Sequence, residues 1–204
     1  MIKQLVIIHG GDFFDTRAEY VADMAKAKPD RDAFLFDDAR GWKDALASEF
    51  STKGCEVFMP TMPNKYDAKY SEWKLWFEKM LPFLADGVAF IGHSLGGIFL
   101  ARYLSENQIG LRVSALFLVA APYFPKGGKS ANKAGFVVGD LSRLGAQVDK
   151  VFVMHSKDDP VVPFAHAERY CRALPHSVFM PFDGRHHFIG ERFAEVGKLL
   201  RKLE

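Results

Sequence analysis

Three short stretches carry side chains whose types suit nucleophilic acyl chemistry. Residues 90–100, FIGHSLGGIFL, hold Ser94 in a G-x-S-x-G pattern, between an apolar run that reads as a strand and a second that reads as a helix. In that strand–turn–helix setting the sharp bend exposes a serine hydroxyl above a sheet. Gly92 and Gly96 are needed because a side chain at either place would collide with the bend, and Gly97 lets the helix approach the sheet. The helix N-terminus favours a developing oxyanion, and the Leu95 amide is aimed toward it. A serine hydroxyl needs a base to take its proton, and a histidine base needs an acid to hold its tautomer. Acid candidates, Asp158 and Asp159, lie in HSKDDPVVPF; base candidates, His186 and His187, lie in FDGRHHFIG. Each pair follows its own expected strand, and the order serine, acid, histidine is that of one major class of triad hydrolases.

Those residues need a scaffold that brings three strand ends together. Six apolar, β-branched runs are expected strands: Lys3 to His9, Cys55 to Pro60, Val88 to Gly92, Val113 to Ala120, Lys150 to His155 and Ser177 to Phe182. Their continuous hydrophobicity predicts burial on both faces, as in a parallel sheet. Helices are expected at Trp42 to Phe50, around Trp73 to Leu84, at Leu95 to Ser105, Pro163 to Ala173 and Glu191 to Leu203. Trp73, Trp76, Phe77, Met80, Leu81 and Leu84 recur at helical spacing, which assigns both tryptophans to the core. The fold class is therefore α/β: a three-layer α/β/α sandwich around a mainly parallel six-stranded sheet, without a large cap domain.

Length and charge narrow the function. The 204 residues, 49% of them hydrophobic, suit one domain with a substantial core. A formal net charge of +2 gives no field suited to nucleic acid or an anionic membrane. No apolar run reaches the length of a membrane-spanning helix, and the opening MIKQLVIIHGG has too short an apolar stretch for a signal-peptide core, so the expected location is cytoplasmic. Cys55 and Cys171 are far apart in sequence and read as free structural thiols.

Together, IIHGG after the first strand, GHSLGG, DDPVVP and a late glycine followed by HF resemble the α/β-hydrolase superfamily. The stretch MPTMPNKYDAKYSEWKLWF further resembles the small serine hydrolases typified by retinoblastoma-binding protein nine and its bacterial relatives. That resemblance covers most of the chain from Gly41 onward plus the first strand. It implies a strand order 2-1-3-4-5-6 and a Ser94, His187, Asp159 triad, the acid being the aspartate before Pro-x-x-Pro and the base the histidine before phenylalanine. It also places an oxyanion-hole amide in the HGG loop, by position Gly11, with Leu95 as second donor. No cofactor or metal is implied. Adjacent residues diverge at a sharp elbow, so His93 is expected to point away from the serine hydroxyl as a satisfied core histidine.

Residues 13–40 depart from the family pattern and form a possible lid-like insertion. Phe13, with Tyr123 and Phe124 from the loop after the fourth strand, is a candidate pocket wall. The GGKS at 127–130 lacks the earlier glycine of a phosphate-binding loop, where Tyr123 stands instead, and the histidines show no H-E-x-x-H spacing. The expected reaction is hydrolysis of small carboxylic acyl esters, a small-molecule substrate. An amidase or peptidase, or a catalytically silent protein-binding member of the same fold, is the alternative.

Overall fold

The computed structural model describes residues 2–28, 41–127, 134–190 and 192–203. Its six strands are β1 (Gln4–Ile8), β2 (Glu56–Phe58), β3 (Val88–His93), β4 (Val113–Val119), β5 (Val151–Ser156) and β6 (Val178–Phe182). They form one sheet in the order β2-β1-β3-β4-β5-β6 with every pair parallel. Around them lie α1 (Arg17–Lys26), α2 (Trp42–Thr52), α3 (Tyr70–Met80), α4 (Leu95–Glu106), α5 (Ser142–Gln147), α6 (Ala165–Ala173) and α7 (Ala194–Leu200).

Strand side chains alternate between two hydrophobic clusters, as the two-residue period of a strand requires. Val6, Ile8, Phe90, Leu116 and Leu118 pack with α3 to α6 on one face. Leu5, Ile7, Ile91, Phe117 and Phe152 pack with Trp42, Leu46 and Phe50 of α2 and Val196 and Leu200 of α7 on the other. The expected three-layer sandwich follows directly from this division.

Burial on both faces holds for β1, β3, β4 and β5 but not for β2 and β6. These two lie at the sheet's edges, so each has a strand on one side alone. Trp76 also differs from expectation. The buried stripe of α3 is Tyr70, Trp73 and Phe77, whereas Trp76 is 51% exposed. It borders an apolar cleft of about 490 Å³ with Met59 and Phe83, and none of the candidate catalytic residues lines that cleft. The last helix begins at Ala194, with Arg192 and Phe193 outside it.

Within 13–40, residues 17–26 form α1. Its start is fixed by a capping box: the Glu19 amide donates to Thr16 Oγ1, and the Thr16 amide donates to the Glu19 carboxylate. No α1 residue is buried. Residues 29–40, and Gly128 to Ser130 of the GGKS stretch, lie outside the described residues. Among the described residues no helix is long and apolar enough to cross a membrane.

Candidate active site

The turn between β3 and α4 forces Ser94 into an uncommon backbone conformation, φ 52° and ψ −120°. A non-glycine residue held there stores strain of order 1–3 kcal/mol, which the surrounding packing must offset. The glycines explain how the bend closes. A Cβ at Gly92 would stand 2.5 Å from the Gly96 carbonyl oxygen, and one at Gly96 would stand 2.6 Å from the His9 carbonyl oxygen. At Gly97 it would meet Ala121 Cβ at 2.5 Å. The Ser94 amide is tied to the Val119 carbonyl of β4 at 2.8 Å, so the nucleophile candidate is anchored to two neighbouring strands.

Asp159 and Asp158 lie in the loop after β5, and the structure separates them. The Asp159 side chain is fully buried. Its Oδ1 accepts the amides of Val161 and Val162 at 2.8 and 2.9 Å, and its Oδ2 accepts from His187 Nδ1 at 2.8 Å. With Nδ1 as donor, the His187 Nε2 of the neutral ring carries a lone pair. His155 Nε2 lies 3.5 Å from the same Oδ2 while bonding the Val162 carbonyl at 2.8 Å, a buried neighbour not singled out from the sequence. Burial holds His155 below the usual histidine range, so it stays neutral beside the pair.

Asp158 instead turns outward. It accepts from the Ser156 hydroxyl, from the His186 amide at 3.2 Å and from His186 Nδ1 at 2.8 Å. The Ser156 bond is the main reason its carboxyl lies below the usual range. The aspartate–histidine neighbours thus sort into an inner pair, Asp159 with His187, and an outer pair, Asp158 with His186.

The histidine loop is held in an unusual shape, with His186 and Phe188 both at positive φ, 47° and 53°. Several bonds oppose this strain. Trp42 Nε1 donates to the Phe188 carbonyl at 2.7 Å, and His93 Nε2 donates to the His187 carbonyl at 2.8 Å. His93 is buried, as expected of a satisfied core histidine, and its basicity is held down to about 3, first by burial and then by nearby Lys43. Its ring centroid is 5.1 Å from that of His187. Sequence reading missed this role for His93, because a contact spanning 94 residues leaves no local pattern.

The HGG loop is fixed by His9. Met62 donates its amide to His9 Nε2 at 2.9 Å, so Nδ1 carries the proton and donates to the Gly10 carbonyl. A Cβ at Gly10 would stand 3.2 Å from Ser94 Cβ, and one at Gly11 would stand 2.5 Å from the Lys65 carbonyl oxygen. Close approach of backbone therefore requires glycine at position 11, and the fit at Gly10 is tight. Among the described residues the amides of Gly11 and Leu95 donate to no carbonyl, and Ser94 Oγ and His187 Nε2 form no hydrogen bond.

The candidate pocket walls divide into two groups. Phe13 packs edge-on against Phe124 with centroids 6.0 Å apart and also contacts Phe136. Tyr123 packs on Tyr170 at 4.9 Å, and its amide donates to His166 Nδ1 at 2.7 Å.

The strained serine after the third strand, and the candidate acid and histidine in the loops after β5 and β6, sit on the all-parallel sheet of the α/β-hydrolase fold. The family model of serine hydrolases matches residues 37–192, and the chain belongs to that family. Among solved structures, the ydeN gene product of B. subtilis superposes with a TM-score of 0.76 at 18% identity, covering 98% of each chain. The esterase domain of a Rhodothermus marinus protein gives a TM-score of 0.61 at 15% identity, over 97% of this chain and 84% of that one. Est1E from Butyrivibrio proteoclasticus gives 0.60 at 15% identity, over 98% and 86%. At these identities the likeness is one of fold. A search of curated proteins finds no match.

Proposed function

We propose that this serine hydrolase cleaves small carboxylic esters through an acyl-enzyme on Ser94, with His187 as base and Asp159 as the group that orients it. The observation that carries the reading is the buried Asp159–His187 pair, 2.8 Å apart, in the loops beside the strained Ser94 turn. Asp159 holds the proton on Nδ1, which leaves Nε2 to remove the Ser94 proton as Oγ attacks the acyl carbonyl. The amides of Leu95 and Gly11, which donate to no carbonyl among the described residues, are the donors proposed for the resulting oxyanion. His187 then returns the proton to the leaving alcohol. Water, deprotonated by the same nitrogen, attacks the acyl-enzyme, releases the carboxylic acid and restores Ser94. No step requires a cofactor.

Phe13, Phe124 and Tyr123 are the proposed apolar walls for the acyl group. An ester is favoured over an amide because its carbonyl is less stabilised by resonance and an alkoxide leaves more readily than an amide anion. Turnover of 4-nitrophenyl acetate and butyrate should exceed that of the matching anilides by several orders of magnitude and vanish in Ser94→Ala. Faster cleavage of the anilides would reassign the protein as an amidase.

A further inference from the structure

Lys43 is a partly buried cation beside His93, the residue before the candidate nucleophile, and among the described residues it has no counter-ion. It lies in the first turn of α2, where the helix macrodipole disfavours positive charge. Its side chain is not free in solvent: Nζ sits 3.5 Å from His93 Nδ1 and 5.1 Å from the centre of the Trp42 ring. Like several exposed lysines, Lys43 forms no ion pair among the described residues, but unlike them it is held against His93 and Trp42. Burial pulls its ammonium below the usual lysine range, with Asp44 opposing only in part. A partly desolvated charge without a partner costs free energy unless a ligand supplies the opposite charge.

Position ties this cation to the catalytic centre. The His93 nitrogen that Lys43 approaches is the one that a Cβ at Gly10 would approach at 3.6 Å, and that same Cβ would stand 3.2 Å from Ser94 Cβ. Lys43 and Gly10 therefore share the Nδ1 edge of His93, and Gly10 in turn faces Ser94 Cβ, while the other nitrogen of His93 holds the His187 carbonyl. The contact with His93 occupies at most one of the three ammonium protons. Asp12 follows the glycine pair, and burial raises its carboxyl above the usual range. It forms no ion pair with Lys43 among the described residues.

We propose that Lys43 recognises an anionic group on the substrate, so that the preferred esters carry a carboxylate a few atoms from the scissile carbonyl. The inference rests on the serine-hydrolase reading above and adds the substrate's charge. Its competitor is a purely positioning role, in which Lys43 orients His93 and serves all substrates alike.

Two matched ester pairs separate the roles. One pair is 4-acetoxybenzoate and 4-acetoxybenzamide, which differ in charge on the leaving group. The other is ethyl hydrogen adipate and ethyl hexanoate, which differ in charge on the acyl side. The wild type should favour the anionic member of at least one pair in kcat/KM. In Lys43→Met that preference should fall by about tenfold or more, chiefly through KM, and Lys43→Arg should recover most of it. An unchanged preference in Lys43→Met, or an equal loss on all four esters, would overturn the proposal. Fluorophosphonate labelling of Ser94 in the same preparations keeps the two readings apart. A labelled protein with no charge preference refutes the Lys43 site alone, whereas an unlabelled wild type refutes the catalytic reading beneath it.

Discussion

Replacing Asp159 by asparagine tests the inner pair with the least disturbance of shape. In the native loop Oδ1 accepts the amides of Val161 and Val162 at 2.8 and 2.9 Å, and an asparagine oxygen can keep both. The amide NH₂ then replaces Oδ2 and faces His187 Nδ1, the atom it now meets at 2.8 Å as an acceptor. A donor there selects the other tautomer, with the proton on Nε2, and that nitrogen can no longer take the proton of Ser94. The imidazolium formed during attack also loses its buried anion. Together these effects should lower kcat by about 10³–10⁴-fold, equivalent to roughly 4–5.5 kcal/mol of transition-state stabilisation. Asp158→Asn is the internal control, because that carboxylate bonds Ser156 and the exposed His186. It should change kcat by less than about threefold. Steady-state hydrolysis of 4-nitrophenyl butyrate, with circular dichroism to check folding, measures both. If Asp158→Asn is the more damaging, or if folded Asp159→Asn stays within tenfold of wild type, the assignment of the acid is wrong.

His93 carries two further predictions. Loss of its 2.8 Å bond to the His187 carbonyl in His93→Asn should free the strained loop and lower kcat by roughly 10- to 100-fold, with a smaller change in KM, read on the same neutral ester. His93 also ionises near 3 in the folded protein against 6.5 for the unperturbed group. Between these values the unfolded chain binds a proton that the folded chain refuses, so stability is lost as pH falls from about 6.5 toward 3. Urea denaturation at pH 7 and pH 4 should show a steeper loss for wild type than for His93→Asn, by a few kcal/mol on the usual scale of about 1.4 kcal/mol per unit. Parallel losses would show that His93 is not a source of the acid sensitivity.

The parts of this molecule that were legible in the sequence are those whose signal is local. All six strands were found because each is a short apolar run, and the strand order came with the family resemblance. Ser94, Asp159 and His187 are legible as candidates because each follows an apolar run, and a parallel sheet brings such loops to one end. The choice of Asp159 over Asp158 came with the family resemblance; in the structure its carboxylate sits two and three residues before the amides of Val161 and Val162 and closes a turn on them. The sequence was silent where packing decides. Helix α1 carried a capping box in Thr16 to Glu19, yet its apolar residues form no buried stripe and gave no periodic signal. Helix α5 has only six residues, too few for a period to show. Trp76 fits the same helical spacing as Trp73, and only its place at the rim of α3 leaves it exposed. The chain from Lys43 through His93 to His187 joins residues 50 and 94 positions apart, so no pattern of spacing announces it.

The central claim is that Ser94 is an activated nucleophile, and intact-mass analysis after exposure to a fluorophosphonate tests it most directly. One adduct is expected on the wild-type chain, none on Ser94→Ala, and much slower labelling of His187→Ala. A folded wild-type protein that takes up no adduct, or a Ser94→Ala variant that labels equally well, would contradict it.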